Sequence, residues 1–230
     1  MLPALQSKLS REVDKKIKLR VAWQDLKTER AHNFQGDQPG WAASMIKVPV
    51  MVAAFSQIDQ GVLSLPDTLP IDHRFTLDPT SEISYRAQGS PVEVSELLNY
   101  MILASCNEST NMLADKVGIF SINESMRAYR CPSTMMSHLL YRGAPLVSPG
   151  IDGTSSNTTT ANEMNTLMAG IYADKVASPH SCRYMKAILE NSPELEYGGA
   201  SVNTLLSSSL PPRTRVGAKM GLLDEDVMET

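Results

Sequence analysis

Ser44-Met45-Ile46-Lys47-Val48-Pro49-Val50-Met51-Val52-Ala53-Ala54-Phe55 is the run on which the reading of this chain turns. From Ile46 to Ile58 the sequence is strongly apolar, and Gly61 follows. That is the pattern of a helix buried on all sides and stopped by a residue free to adopt a left-handed conformation. Two polar side chains stand at its start. Ser44 and Lys47 are three residues apart, so on a helix they share a face and the amine can reach the hydroxyl. A serine hydroxyl is a poor nucleophile until a base takes its proton. A lysine can be that base when burial and neighbouring cations lower its pKa. The amides of a helix N-terminus also favour developing negative charge. Pro49 is tolerated because it lies in the first turns, where few backbone donors are lost. The same pair also fits a simple N-cap and a lysine reaching out to solvent, so alone it decides nothing.

Two further fragments follow in order, Ser105-Cys106-Asn107 and Lys219-Met220-Gly221. Short patterns of this kind recur by chance. S-x-N also starts at Ser121, Ser155 and Ser201, and K-x-G at Lys116. The information is in their order, spacing and setting. Residues 93–104 and 109–117 read as helices, which leaves Ser105, Cys106 and Asn107 in the break, where side chains can project into a cleft. A second hydroxyl beside Lys47 could pass a proton to a leaving group. Asn107 could orient both Lys47 and a substrate amide. The competing reading is a helix cap, which Ser and Asn favour. Thr214 to Ala218 reads as a strand ending at Lys219, and Gly221 would let a substrate approach the backbone and lie along that edge as an added strand. The competing reading there is a strand end followed by a turn.

The rest of the chain supplies a scaffold. Residues 3–17 read as an amphipathic helix with Leu5, Leu9 and Val13 on one side. Leu19 to Trp23 and Ala31 to Phe34 read as two strands around a polar turn. Residues 62–91 are loop-rich, residues 121–129 and 134–140 read as shorter helices, and Tyr141 to Thr158 reads as a long loop. Thr160 to Ala173 and residues 180–190 read as helices. With 230 residues, 42% apolar and 20% charged, the chain suits one compact soluble unit. A formal charge of −4 argues against nucleic acid as a partner. Cys106, Cys131 and Cys182 suit buried or free thiols, and no Cys/His cluster suggests a metal. The histidines, His32, His73, His138 and His180, are scattered. No run is long enough to span a bilayer, and no signal peptide is evident.

Taken together, the fragments resemble the catalytic set S-x-x-K, S-D-N and K-T-G of the class A β-lactamase family and its relatives among the D-alanyl-D-alanine peptidases. Met101 to Leu113 is similar to the family's helix pair around S-D-N. Asn157-Thr158-Thr159-Thr160-Ala161 resembles the segment that closes the family's Ω-shaped loop, and Leu210-Pro211-Pro212 followed by a strand into K-x-G also fits. The resemblance runs from about residue 4 to residue 223. It implies an α/β (α+β) fold in one catalytic domain over 1–230. An all-helical lobe of about 55–180 would face an α/β lobe from 1–54 and 181–230, built on a five-stranded antiparallel sheet flanked by helices. It further implies that Ser44 is acylated, Lys47 is its base and Ser105 relays a proton. Asn107, Lys219, Gly221 and Leu222 would bind substrate, the amides of Ser44 and Leu222 forming an oxyanion hole. No cofactor and no metal are implied. The partner would be a small-molecule β-lactam or a peptidoglycan peptide, the state a monomer, and the location outside the cytoplasm, as is usual for the family.

Four departures qualify these expectations. Cys106 replaces the family's aspartate, which should cost stability more than chemistry. Met220 replaces a threonine whose hydroxyl would bind the substrate carboxylate, and a thioether cannot donate a hydrogen bond. Between Cys131 and Asn162 there is no glutamate to activate a deacylating water, the only carboxylate being Asp152; Glu124 and Glu163 fall on expected helices. Nine residues follow Gly221, where the family has about two more strands and a closing helix. Three readings result: a serine hydrolase of β-lactamase type, a D-alanyl-D-alanine peptidase or penicillin-binding protein with slow deacylation, and a catalytically dead binding protein or truncated product.

Overall fold

The computed structural model describes residues 18–75, 81–140, 156–191, 196–197, 200–201, 210–211 and 213–221. The expected helix at 3–17, Asp152 and Leu222 lie outside them. In chain order the elements are β1 (Val21–Gln24), β2 (Ala31–Phe34), β3 (Gly40–Trp41), a 3-10 turn (Ala43–Ile46), α1 (Lys47–Asp59), β4 (Thr68–Pro70), a second 3-10 turn (His73–Phe75) and β5 (Pro91–Glu93). They continue as α2 (Val94–Leu103), α3 (Asn107–Val117), α4 (Ile119–Ala128), β6 (Thr158–Thr159), α5 (Ala161–Tyr172), α6 (Pro179–Glu190), β7 (Glu196–Tyr197) and β8 (Ala200–Ser201).

The core is built around α1. Every residue from Lys47 to Phe55 is buried, because α2, α3, α4 and α6 all pack against it. Each large apolar side chain so enclosed contributes roughly 1.5–3 kcal/mol of burial free energy. Pro49 sits in the first turn, as its missing N–H requires. Gly61 ends the helix at φ +72°, its N–H bonded to Ile58 O at 3.0 Å, the left-handed stop expected of glycine. The N-termini of α5 and α6 are capped by Thr160 and Ser178, whose hydroxyls accept from Glu163 N–H (3.1 Å) and Ser181 N–H (3.2 Å). Asp59 joins the two ends of the core: its carboxylate accepts from the Ser178 N–H and the Ser178 and Ser181 hydroxyls at 2.6–2.7 Å.

Strand pairing is antiparallel throughout the described residues: β1 with β2, β3 with β6, β4 with β5 and β7 with β8. The β1–β2 hairpin pairs Val21 with Phe34 and Trp23 with His32, and β1 lies on α5. Within the loop-rich 62–91 stretch, β4 and its partner β5 set Pro70 opposite Pro91, at the end of a short ladder where a missing N–H is tolerated. The expected strand at Thr214–Ala218 is not formed. Its backbone turns at Thr214 onto Pro211 O (3.2 Å), and the Ala218 N–H bonds to Leu189 O (3.3 Å) near the end of α6. A strand exists only where another strand answers its hydrogen bonds, and here a helix end takes that place.

The expected helix at 134–140 is also not formed, and the reason is visible in the hydrogen bonds. Met135 exchanges both backbone bonds with Thr158 (2.9 and 3.0 Å). Asn123 does the same for Met136 with its side-chain amide (2.8 and 2.9 Å), and Asn111 for Leu140 (2.8 and 3.2 Å). Asn157 accepts from the Ser137 and His138 N–H groups (2.7 and 3.2 Å) and donates to His138 O (3.1 Å). Three asparagines thus stand in for a neighbouring strand and hold the segment extended. Asn157 also accepts from the Ala42 N–H through its own carbonyl (2.8 Å), so the clamp reaches the turn that carries Ser44. Truncating it orphans buried N–H groups. Asn157→Ala is expected to destabilise the fold by about 2–4 kcal/mol, measured as a lowered urea midpoint; a loss below about 0.5 kcal/mol would contradict the clamp.

Candidate active site

Lys47 is the fixed point of the site. It begins α1, is fully buried, and its Nζ lies 2.8 Å from Ser44 Oγ, 2.6 Å from Ser105 O, 3.0 Å from Ser105 Oγ and 2.7 Å from Asn107 Oδ1. Ser44 is in the 3-10 turn just before α1 rather than in the helix itself, and it remains partly exposed. Ser105 follows the end of α2 and Asn107 opens α3. Lys219 arrives from the far end of the chain and donates to Ser105 Oγ (2.9 Å) and Met220 O (2.7 Å). Ser44, Lys47, Ser105, Asn107 and Lys219, read from three distant fragments, therefore meet in one hydrogen-bonded cluster.

The backbone around both hydroxyls is held in an unusual state. Ala43 has φ +46° and Ser105 φ +53°. Residues with a β-carbon rarely adopt this left-handed region, which costs roughly 1–3 kcal/mol. Such strain persists where the surroundings over-determine it, and here it aims Ser44 and Ser105 at the same amine. Gly221 closes the cluster from the other side. A β-carbon there would lie 2.9 Å from Ser44 N, 3.0 Å from Met45 N and 3.0 Å from Ala43 Cβ. Glycine is required because two backbones meet at this point. The second expected amide, that of Leu222, is outside the described residues.

The electrostatics follow from burial. Burial carries the Lys47 ammonium down from 10.5 to about 7, and the charge of Lys219 pushes the same way, while Glu108 opposes it. Burial alone takes Lys219 down to about 8. Near neutral pH, Lys47 is therefore split between ammonium and amine while Lys219 stays mostly charged. An ammonium at Lys47 donates to Ser44 Oγ. An amine has a lone pair instead, and with Asn107 Oδ1 and Ser105 O taking its two N–H groups, the Ser44 hydroxyl is left to donate to Nζ. That is the geometry in which a serine can lose its proton as it attacks.

Cys106 caps α3 in place of an oxygen: its Sγ accepts from the Ser109 N–H at 3.4 Å. All three cysteines are free and buried. Glu163 is tied down, accepting from the Ser133 N–H (2.9 Å) and the Thr134 hydroxyl (2.8 Å), and Glu124 is exposed on α4. Among the described residues no cluster of three His, Cys, Asp or Glu side chains could hold a metal ion. No described helix is long and apolar enough to cross a membrane. The residue that sequence reasoning passed over is Glu108, second in α3 and 1% exposed. An acidic residue in a first helical turn normally signals only a favourable, solvated dipole contact, so nothing in the pattern marks its burial.

The chain is similar to proteins of known structure. PBP-A is 26% identical, with a TM-score of 0.78 over 96% of this chain and 77% of that one. A leucine-to-glutamate mutant of PBP-A, solved as an acyl-enzyme complex with penicillin G, is 25% identical, with a TM-score of 0.78 over 95% and 76%. A beta-lactamase from Chitinophaga pinensis shares the fold at 20% identity, with a TM-score of 0.77 over 96% and 78%. No match was found among curated proteins. The model of the beta-lactamase enzyme family matches residues 4–230, nearly the whole length, and the chain belongs to that family.

Proposed function

We propose that this protein is a serine acyl-transfer hydrolase that β-lactams acylate at Ser44. The observation that carries the reading is the position of Lys47 Nζ, 2.8 Å from Ser44 Oγ in a buried setting that leaves the amine partly unprotonated at neutral pH. In this reading Lys47 takes the Ser44 proton and Ser105, bonded to both lysines, passes a proton to the departing nitrogen. The Ser44 N–H, together with that of Leu222, steadies the oxyanion. Asn107 and Lys219 hold the substrate amide and its negative charge, and Gly221 lets its own backbone approach that of Ser44 beside it. The substrate enters between a helical lobe of about 55–180 and an α/β lobe from 1–54 and 181–230.

Release is slower than acylation in this scheme. Deacylation needs a base to activate water, and among the described residues Glu163 is committed to Ser133 and Thr134 while Glu124 faces solvent. That favours a second reading of the same site, a penicillin-binding or D-alanyl-D-alanine peptidase-like enzyme whose β-lactam adduct persists. Incubation with a fluorescent penicillin, followed by intact mass over time, tests both. A persistent adduct is the expected result. Rapid turnover without an adduct points to an efficient β-lactamase, and a folded sample that neither reacts nor turns over refutes acylation at Ser44.

A further inference from the structure

Among the described residues, only two side chains that carry an amine, guanidinium or carboxylate are buried to this degree: Lys47 at 0% and Glu108 at 1% exposure. They lie on facing elements, because Lys47 opens α1, Glu108 is in the first turn of α3, and the two helices pack together. They are also linked through bonds. Asn107, which accepts from Lys47 at 2.7 Å, immediately precedes Glu108. Cys106, which follows the Ser105 carbonyl that accepts from Lys47 at 2.6 Å, donates its thiol proton to Glu108 Oε2 at 3.3 Å. Burial keeps that thiol protonated, so it remains a donor. A carboxylate taken out of water persists only against positive charge or a set of donors.

We infer that Glu108 is the internal counter-charge of Lys47, held in place by the Cys106 thiol, and that it is a positioning residue governing how readily Lys47 gives up its proton. Two opposing influences meet at Lys47. Lys219, from the 213–221 segment, drives the amine toward its neutral form; Glu108, from α3, favours the charged form. Among the described residues, the hydroxyls of Ser44 and Ser105, the Ser105 carbonyl and the Asn107 amide bond to Lys47 without adding charge. Glu108 therefore keeps Lys47 from becoming a free amine too far below neutrality, which would loosen its hold on Asn107 and Ser105.

The test is a titration of Lys47 itself. Protein carrying lysine labelled with 13C at Cε is followed by NMR from pH 5 to pH 10, the Lys47 signal being the one absent in Lys47→Arg. Glu108→Gln keeps the shape and removes the charge. Its Lys47 midpoint is expected to move to lower pH by about one unit. Glu108→Asp, which keeps the charge but draws it back, is expected to move it less, and serves if the glutamine variant does not fold. An unchanged or raised midpoint in either folded variant overturns the assignment. The kinetic consequence rests on the acylation reading: labelling by fluorescent penicillin at pH 6, relative to its plateau, should rise up to about tenfold in Glu108→Gln. A purely structural role for Glu108 would slow labelling evenly at all pH values and leave the midpoint where it was. A lowered Lys47 midpoint in Glu108→Gln together with a wild type that never labels leaves Glu108 assigned and refutes the acylation reading alone.

Discussion

Ser44→Ala is expected to leave no covalent penicillin adduct at any time or concentration, while the protein still folds. The change deletes one oxygen from a partly exposed turn. The turn itself is held by the backbone, with the Met45 N–H bonded to Ala42 O (3.0 Å) and the Ala42 N–H bonded to Asn157 O (2.8 Å). Lys47 keeps its acceptors at Ser105 and Asn107. Ser105 is the only other hydroxyl bonded to Lys47 among the described residues, but its Oγ also accepts from Lys219 (2.9 Å). A hydroxyl whose lone pairs face two cationic donors is a poor nucleophile. Intact mass with denatured-state peptide mapping checks the prediction. An adduct that survives and maps to Ser105 would reverse the roles assigned to the two serines.

How much of this was legible in the sequence depends on where each residue's constraints come from. The apolar run after Lys47 announced α1 because burial on every side leaves its mark on every residue. The strand at Ala31–Phe34 and the helices at 160–173 and 180–190 were readable for a similar reason: local pattern decides them. The order and spacing of Ser44, Lys47, Ser105, Asn107 and Lys219 brought the cluster together without coordinates, through resemblance. What failed were segments whose conformation is imposed from a distance. Residues 134–140 carry helix-compatible side chains, yet Asn111, Asn123 and Asn157 claim their backbone groups from three other places in the chain. Thr214–Ala218 alternates like a strand but answers to the end of α6. Glu108 looks like any acidic residue at a helix start, and it is the tertiary packing around α3 that encloses it. Cys106 was expected to cost stability more than chemistry. The thiol does cap α3, at the longer distance sulfur demands, and it also meets a carboxylate two residues on, a contact no local pattern contains.

Lys47→Ala is expected to slow acylation by about a thousandfold, within the range for losing a positioned general base. The pH dependence distinguishes this loss from a mere loosening of the site. In the proposed scheme Lys47 takes the Ser44 proton as a free amine, and burial sets that change at about pH 7. In the same scheme Lys219 holds an anionic substrate by its charge, which it loses at about pH 8. The rate should therefore rise as pH climbs through about 7 and fall as it passes about 8, a narrow bell with its top between them. The sign is fixed by each group's role: the lowered midpoint of Lys47 makes the base available at neutrality, while the lowered midpoint of Lys219 withdraws the anchor earlier than an ordinary lysine would. Lys47→Ala removes the first limb and leaves the second. The residual reaction should be nearly flat from pH 6 to pH 7.5 and still decline above pH 8. Single-turnover labelling across pH 5.5–9.5, with circular dichroism at each end, measures both limbs. A variant that is slower but keeps its rise near pH 7 would show that another group carries the proton, and a wild type with no limb near 7 would remove Lys47 from the role of base.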